Sequence, residues 1–365
     1  MKKPSPISRR TLIATLTAAG AVGAARGAVN GDTLFAPEES ASHARTWMCW
    51  PSNPSIYDGP SAYFESVQET IGRLAAAIAE NEPVSMLADA ALHPLAAQLC
   101  GPNVTLIDIP TDDMWARDSA PVFVKNNTGG KALVDFNFNG WGGKQIHTND
   151  TKIAAGIASH IGCRRIQSTL VGEGGGLEYD GDGTLILTES CWVNENRNPG
   201  LSRDEIERRL KTDLGVETVI WLPGVRGRDI TDGHIDGSLR IVRPGLLMMG
   251  VYPGDRTSPW ARADAEARKI LRKAKDARGR SFDIVDIPSA TKPRSKDRNL
   301  FTGYSNYYVG NNALYTPEFG DAKADKRAVE TLSMLYPDRT VVALNVDRIY
   351  ESGGGIHCVT QQEPA

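Results

Sequence analysis

Close to the end of the 365-residue chain the sequence reads Glu351-Ser352-Gly353-Gly354-Gly355-Ile356-His357-Cys358-Val359-Thr360-Gln361-Gln362. Three consecutive glycines widen the allowed backbone angles and let main chain come close to a ligand. A thiol follows three residues on. Cys358 reads either as a nucleophile at the floor of a pocket, with Gly355 backing the substrate, or as a small buried apolar residue in a glycine turn. A second stretch, Asp232-Gly233-His234-Ile235-Asp236-Gly237, carries an imidazole and a carboxylate two residues apart. In an extended segment His234 and Asp236 share one face, since side chains alternate with period two. That pair suits proton transfer near neutral pH or, alternatively, a zinc ligand set.

Two further segments complete the chemistry. Thr111-Asp112-Asp113-Met114-Trp115-Ala116-Arg117-Asp118 places three carboxylates and an indole in eight residues, a composition suited to a cation or to an Asp-rich loop with helix caps. Glu173-Gly174-Gly175-Gly176 again sets an ionisable side chain beside glycines. A catalytic metal usually takes three protein ligands. Of the six histidines, His43, His93, His147 and His160 lack comparable settings, and His357, in a strand, would face away from Cys358. We therefore expect no metal and no organic cofactor, and read His357 as structural. One thiol, one histidine and several carboxylates fit a small positively charged substrate. A guanidinium has a planar donor fork that two carboxylates can grip, and its charge favours the thiolate.

The elements that must position these groups alternate along the chain. Helical periodicity marks 61–80, 149–161, 202–214, 259–276 and 325–335, with a capping box at Ser202 and Glu205, a stop at Gly215 and a cap at Asp325. Strand patterns fall at 121–124, 184–187, 238–242, 307–309 and 340–344. Polar or glycine-rich turns marked by Asp118, Glu173, His234, Asn306 and Cys358 recur at roughly 60-residue intervals. That spacing fits a cyclic α/β repeat delivering one loop per unit to a common centre, or a doubly wound α/β sheet.

With 41% hydrophobic and 23% charged residues, a net charge of −3 and a pI near 6.1, the composition is that of an ordinary soluble protein. It shows no footprint for nucleic acid or an anionic membrane. Residues 1–30 differ: Lys2, Lys3, Arg9 and Arg10 precede a weakly apolar run from Leu12 to Ala25. Ser8-Arg9-Arg10-Thr11-Leu12-Ile13 resembles a bacterial twin-arginine signal peptide, which implies periplasmic or secreted delivery, cleavage between about Ala21 and Asn30, and no stable membrane anchor afterwards. Residues 31–365 then form a single catalytic domain. The odd count of cysteines, at 49, 100, 163, 191 and 358, leaves at least one thiol free, and the first four read as buried small residues.

Taken in order, these motifs resemble the agmatine deiminase and bacterial (Porphyromonas-type) peptidyl-arginine deiminase family of the guanidine-modifying superfamily. The resemblance runs from Trp47-Met48-Cys49-Trp50-Pro51 to the end, through Thr111–Asp118, Trp141-Gly142-Gly143-Lys144, Glu173–Gly176, Asn194–Ser202, Gly233–Asp236 and Gly355–Gln362. It implies a five-bladed α/β propeller (pentein) around a central site. It also implies Cys358 as nucleophile, His234 as general acid/base, Asp118 and Asp236 as the guanidinium clamp, Glu173 as support for the histidine, and Asn306 near the site. The implied activity is agmatine hydrolysis through a thiouronium intermediate, with putrescine-forming polyamine metabolism behind it. Asp112, Asp113, Trp115 and Trp141 are candidates for the far end of agmatine. Peptidyl-arginine or free arginine, yielding citrulline, is the alternative substrate, for which Arg197, Arg240 or Arg243 would meet a carboxylate or peptide group. A non-catalytic exported binding protein is the remaining reading, and a homodimer is the assembly left open. The segments after Pro51 and after Asp236 depart from agmatine-type sequences, as does the export signal, so the substrate is less fixed than the chemistry.

Overall fold

The computed structural model describes residues 33–254 and 256–365, so the twin-arginine expectation lies outside the described residues. Among the described residues five separate small sheets, and no closed one, carry the strands. The first holds β1 (His43–Cys49), then α1 (Ala62–Ala79), β2 (Val84–Ala88), α2 (His93–Cys100) and β3 (Val104–Asp108), with all three strands parallel. The second holds the hairpin β4 (Val122–Lys125) and β5 (Lys131–Asp135), followed by α3 (Ile153–Ile161) and β6 (Arg164–Gln167), which lies parallel to β5.

The same order recurs three times: β7 (Glu178–Tyr179), β8 (Thr184–Thr188), α4 (Arg203–Leu214), β9 (Thr218–Leu222); then β10 (Leu239–Arg243), β11 (Leu246–Val251), α5 (Pro259–Lys273), β12 (Asp283–Pro288). The last set is β13 (Tyr308–Val309), β14 (Ala313–Pro317), α6 (Ala322–Leu335) and β15 (Thr340–Leu344). Each middle strand has an antiparallel partner before it and, across a helical crossover, a parallel partner after it. The first sheet acquires its antiparallel partner from the other end of the chain: β16 (Gln361–Pro364) pairs with β1, Trp47 opposite Gln361.

Local sequence accounts for these elements. In α1, Val67, Ile71, Leu74, Ala75 and Ile78 recur at helical spacing, and all are fully buried in one core cluster with Val84 and Met86 of β2. Truncating Leu74 there to alanine costs about 2–5 kcal/mol by cavity formation. The box of Ser202 and Glu205 starts α4, and Gly215, in the left-handed region, ends it. The cap expected of Asp325 belongs instead to Asp321, whose side chain accepts from the Ala324 amide. Asp325 sits in the first turn of α6 and accepts from the Phe319 amide and the Tyr304 hydroxyl.

One regularity bears directly on function. The segments carrying Asp118, Glu173, His234 with Asp236, Asn306 and Cys358 each end within a few residues of β4, β7, β10, β13 and β16, the antiparallel strand of their respective sheets. Five chemically distinct groups therefore occupy the same place in five topologically equivalent units.

Candidate active site

Two of the local conformations differ from the sequence expectation. His234 and Asp236 do not share a strand face, because residues 235–237 form a 3-10 turn. Cys358 lies in a turn before β16, so the alternation that set His357 apart from it does not operate. His357 instead lies beside Cys358 chemistry: its Nδ1 meets Asp236 Oδ2 at 2.8 Å and its Nε2 meets Glu39 Oε2 at 2.8 Å. The Cys358 Sγ lies 3.5 Å from that same Asp236 oxygen.

Turns and main-chain bonds hold the thiol in place. The Cys358 amide donates to Asn306 Oδ1 at 3.2 Å, and its carbonyl accepts from the Arg117 amide at 3.0 Å. Arg117 reaches on to the His357 carbonyl and to Gln362 Oε1, tying the Ala116–Ser119 turn to the terminal segment. Gly355 and Gly354 are required by close approach: a Cβ would come 2.5 Å from Asn306 Oδ1 at the first and 2.3 Å from the Trp115 ring at the second.

The imidazole of His234 stands between two carboxylates, Nε2 at 3.2 Å from Glu173 Oε2 and Nδ1 at 3.7 Å from Asp118 Oδ1. Asp118 is oriented by the Gly175 amide at 3.0 Å and the Trp141 indole at 2.9 Å. Trp141 adopts φ 57°, an unusual angle for a non-glycine residue, and its buried ring packs edge-on against Phe138. A Cβ on Gly175 would lie 2.6 Å from His234 Nδ1, 2.8 Å from Asp118 Oδ1 and 3.2 Å from Asp236 Oδ2. These three groups thus face one small volume, and only glycine leaves it open.

Electrostatics follow from burial and charge. Burial opposes the charge on His234, yet Asp118 first, then Cys191 and Glu173, hold its pKa well above the usual histidine range. Burial raises Asp118, and Glu173 and Asp236 push it further, with His234 only partly offsetting them. Asp236 overcomes its burial through His357 and lies at about 2. Burial, then Asp236 and Asp118, push the Cys358 thiol well above the ordinary value. Burial and these charges thus bring a protonated imidazole, a protonated thiol and two carboxylates to one space, which a bound cation would neutralise.

Sequence reasoning missed three supports. Arg197, fully buried, gives its Nε to both Glu173 oxygens at 2.8 and 2.9 Å and its Nη1 to Asp232 at 2.8 Å. Burial disfavours the Glu173 carboxylate, but His234 and Arg197 bring its pKa below the ordinary value. Cys191 places Sγ 3.6 Å from Glu173 Oε2, and Glu173, Cys191 and His234 form the one His/Cys/acid group among the described residues able to hold a metal ion. Glu39 links His357 to Arg240. Nothing in the local sequence marks Glu39 or Cys191; the Asn194–Ser202 motif was the available signal for Arg197.

The remaining candidates are placed as follows. Trp115 lies against Gly354 and donates to Asp113 Oδ2 at 2.8 Å. Asp113 is occupied by that indole, the Tyr57 hydroxyl and Gln145. Asp112 accepts from the Asn149 amide at 2.6 Å and anchors the 149–150 turn rather than the cluster. Arg197 and Arg240, considered as partners for a substrate carboxylate, are both buried and held by acidic side chains, Arg240 by Glu178 and Glu39. They have no free donor face to offer. The five cysteines are all unpaired; Cys49, Cys100 and Cys191 are buried and Cys163 half-buried.

Comparison with known proteins agrees with this geometry. The sequence pattern described as Porphyromonas-type peptidyl-arginine deiminase matches residues 35–364. The agmatine deiminase of Ectopseudomonas mendocina is 37% identical over 361 residues, covering 92% of this chain and 96% of the relative. That of Stutzerimonas stutzeri is 36% identical over 360 residues, with the same coverage of 92% and 96%. A solved structure of the agmatine deiminase of Enterococcus faecalis superposes with a TM-score of 0.85 at 29% identity, covering 91% of this chain and 96% of that one.

Proposed function

We propose, from the premise that this chain belongs to the Porphyromonas-type peptidyl-arginine deiminase family, that it hydrolyses the guanidinium group of agmatine to N-carbamoylputrescine and ammonia. The observation that carries the reading is the convergence of the Cys358 thiol, the His234 imidazole and the Asp118 and Asp236 carboxylates around Gly175. The curated relatives named agmatine deiminase supply the substrate. Arginine or an arginine peptide would need a partner for its carboxylate or amide, and Arg197 and Arg240, two of the arginines considered for that part, are already paired with buried carboxylates.

In the mechanism, the guanidinium enters between Asp118 and Asp236. Its positive charge offsets the burial and the carboxylate field that hold the Cys358 proton, and the thiol ionises to solvent. The thiolate attacks the guanidinium carbon, forming a C–S bond and a tetrahedral adduct. Protonated His234 gives its proton to one terminal nitrogen, the C–N bond breaks, and ammonia leaves a thiouronium on Cys358. Neutral His234 then takes a proton from water, whose oxygen attacks the same carbon. Collapse breaks the C–S bond, the adduct's hydroxyl proton passes to the departing thiolate, and the ureido product leaves with the thiol restored. Glu173, fixed by Arg197, holds the imidazole in line, and Asn306 with Gly355 holds the Cys358 turn. Trp115, against Gly354, is the aromatic wall assigned to the substrate's methylene chain.

The sheet order and the N-terminal sequence bear on the blade arrangement and on the destination of the protein. The five topologically equivalent sheets, with β16 of the last segment paired to β1, support an arrangement as five blades of a pentein propeller. Arg9 and Arg10 before an apolar run support export by the twin-arginine route, and replacing both with lysine should then stop periplasmic delivery.

The purified protein incubated with agmatine, arginine and an arginine peptide should release ammonia and a ureido product from agmatine first. His234→Ala should slow turnover by ~10²–10⁴-fold and accumulate a mass-detectable adduct on Cys358. Binding of agmatine without any product, or an adduct on another cysteine, would overturn the assignment.

A further inference from the structure

The mechanism leaves one nucleophilic group beside the site without a task. Cys191 sits in the one-turn helix Glu189–Trp192 that follows β8, is fully buried, and directs its Sγ at Glu173 Oε2 from 3.6 Å. His234 Nε2 reaches the same oxygen from 3.2 Å, and all three potential ligand atoms lie within 4.8 Å of one another. We propose that Cys191, His234 and Glu173 form an inhibitory zinc site, in which the ion captures the imidazole that turnover requires.

Both geometry and ligand type support this. A tetrahedral zinc ion, with bonds of about 2.3 Å to sulfur and about 2.0–2.2 Å to nitrogen and oxygen, separates its ligand atoms by roughly 3.3–3.6 Å. The oxygen–nitrogen and oxygen–sulfur separations of 3.2 and 3.6 Å already approximate those edges. One thiolate, one imidazole and one carboxylate is a donor set that zinc takes readily, leaving its fourth position for water.

The surroundings supply the outer support that such ligands need. Arg197 fixes Glu173 by bonds of 2.8 and 2.9 Å, and Asp118 Oδ1 stands 3.7 Å from the other nitrogen of His234. On coordination the thiol proton leaves to water and the sulfur lone pair bonds to the ion; no oxidant or reductant is involved.

Access sets the mode of inhibition. Glu173 and Cys191 have no exposed surface, whereas His234 is 9% exposed, so the ion must approach by the histidine face. That face also meets the substrate cation. A divalent ion on Nε2 repels the guanidinium and stops the imidazole from alternating between its protonated and neutral forms, so zinc and agmatine should exclude each other.

The first test rests on the hydrolysis proposed above. Zinc chloride should inhibit the purified enzyme, agmatine should raise the concentration required, and EDTA should restore activity. Cys191→Ala and Cys191→Ser, each compared with its own uninhibited rate, should lose zinc sensitivity by tenfold or more, as expected when a ligand is removed. The second test is independent of any activity. Cobalt(II) added to Cys358→Ala should give a thiolate-to-cobalt charge-transfer absorption that disappears in the Cys191→Ala, Cys358→Ala double variant. Equal zinc sensitivity of wild type and both Cys191 variants, or a cobalt band that survives in the double variant, would sink the proposal. Circular dichroism of each variant verifies that the fold is retained before either readout is taken.

Discussion

Replacing Gly175 with alanine adds one methyl group to the point on which the reacting groups converge. The new carbon would lie 2.6 Å from His234 Nδ1 and 2.8 Å from Asp118 Oδ1, with Asp236 Oδ2 at 3.2 Å. Atoms of this kind rest at about 3.5 Å, so the imidazole and at least one carboxylate must retreat by roughly 1 Å. Gly175 does not have a positive φ, so the backbone itself accepts alanine and the perturbation is steric. Misplacement on that scale costs ~10²-fold in rate, or about 2.7 kcal/mol of transition-state stabilisation. Overpacking costs a further ~1–3 kcal/mol of folding free energy.

A matched control exists in Gly237, next to Asp236, where an added Cβ meets nothing within 4 Å. Alanine there should leave kinetics unchanged and stability equal or slightly higher. The assay is ammonia release from agmatine as kcat/KM, alongside urea denaturation of both variants. If Gly175→Ala turned over agmatine as fast as Gly237→Ala, the convergence of His234, Asp118 and Asp236 would not be the reacting geometry.

Three other outcomes follow from the buried charges. Arg197→Met takes the guanidinium from the buried Glu173 carboxylate and leaves only His234 beside it, and should destabilise the protein by about 3–5 kcal/mol in urea titrations; a loss below 1 kcal/mol would show that His234 alone sustains the charge. Asp236, at about 2 in the folded protein against an ordinary 3.8, contributes stability of about 2 kcal/mol that is present above pH ~4 and lost as pH falls through 2. Asp236→Asn should flatten the acid limb of the urea midpoint in that window, and superimposable curves would contradict it. In a Cys358→Ala background, agmatine affinity should rise with pH through the raised pKa of Asp118 and then level, because the guanidinium binds the carboxylate form; a calorimetric profile that stays flat as pH rises from the ordinary carboxylate range would remove Asp118 from the clamp.

Much of this arrangement was legible because chemistry repeats in the sequence at a regular interval. Asp118, Glu173, His234 and Cys358 each stand beside glycines or turns, and each precedes the antiparallel strand of a sheet. The strand at 340–344 and the start of α4 were readable from patterns that depend only on near neighbours. What failed was inference from assumed local conformation. His357 was set aside because strand alternation would turn it from Cys358, but residues 356–359 form a turn and His357 grips the carboxylate beside the thiol. Long-range pairing was beyond reach: Glu39 meets His357 and Arg240 across most of the chain, and neither its type nor its neighbours announce it. The arginines illustrate the same limit: by sequence Arg197 and Arg240 could meet a substrate carboxylate, and folding commits both to buried carboxylates.

Those commitments explain why the site selects a cation rather than merely tolerating one. Glu173 has Arg197, and Asp236 has His357, whose other nitrogen faces Glu39, itself paired with Arg240. Asp118 has only neutral donors in the Gly175 amide and the Trp141 indole, with His234 at ion-pair distance and two carboxylates nearby. It is the least compensated acid of the cluster, and it stands across Gly175 from Asp236. A planar guanidinium bridging the two would satisfy Asp118 directly and at the same moment offset the burial and the carboxylate field that together keep Cys358 protonated. Binding and activation of the nucleophile are then one electrostatic event. A neutral urea in the same space would leave Asp118 and the thiol as they were, so the ureido product is released from a site that has returned to its unreactive charge state.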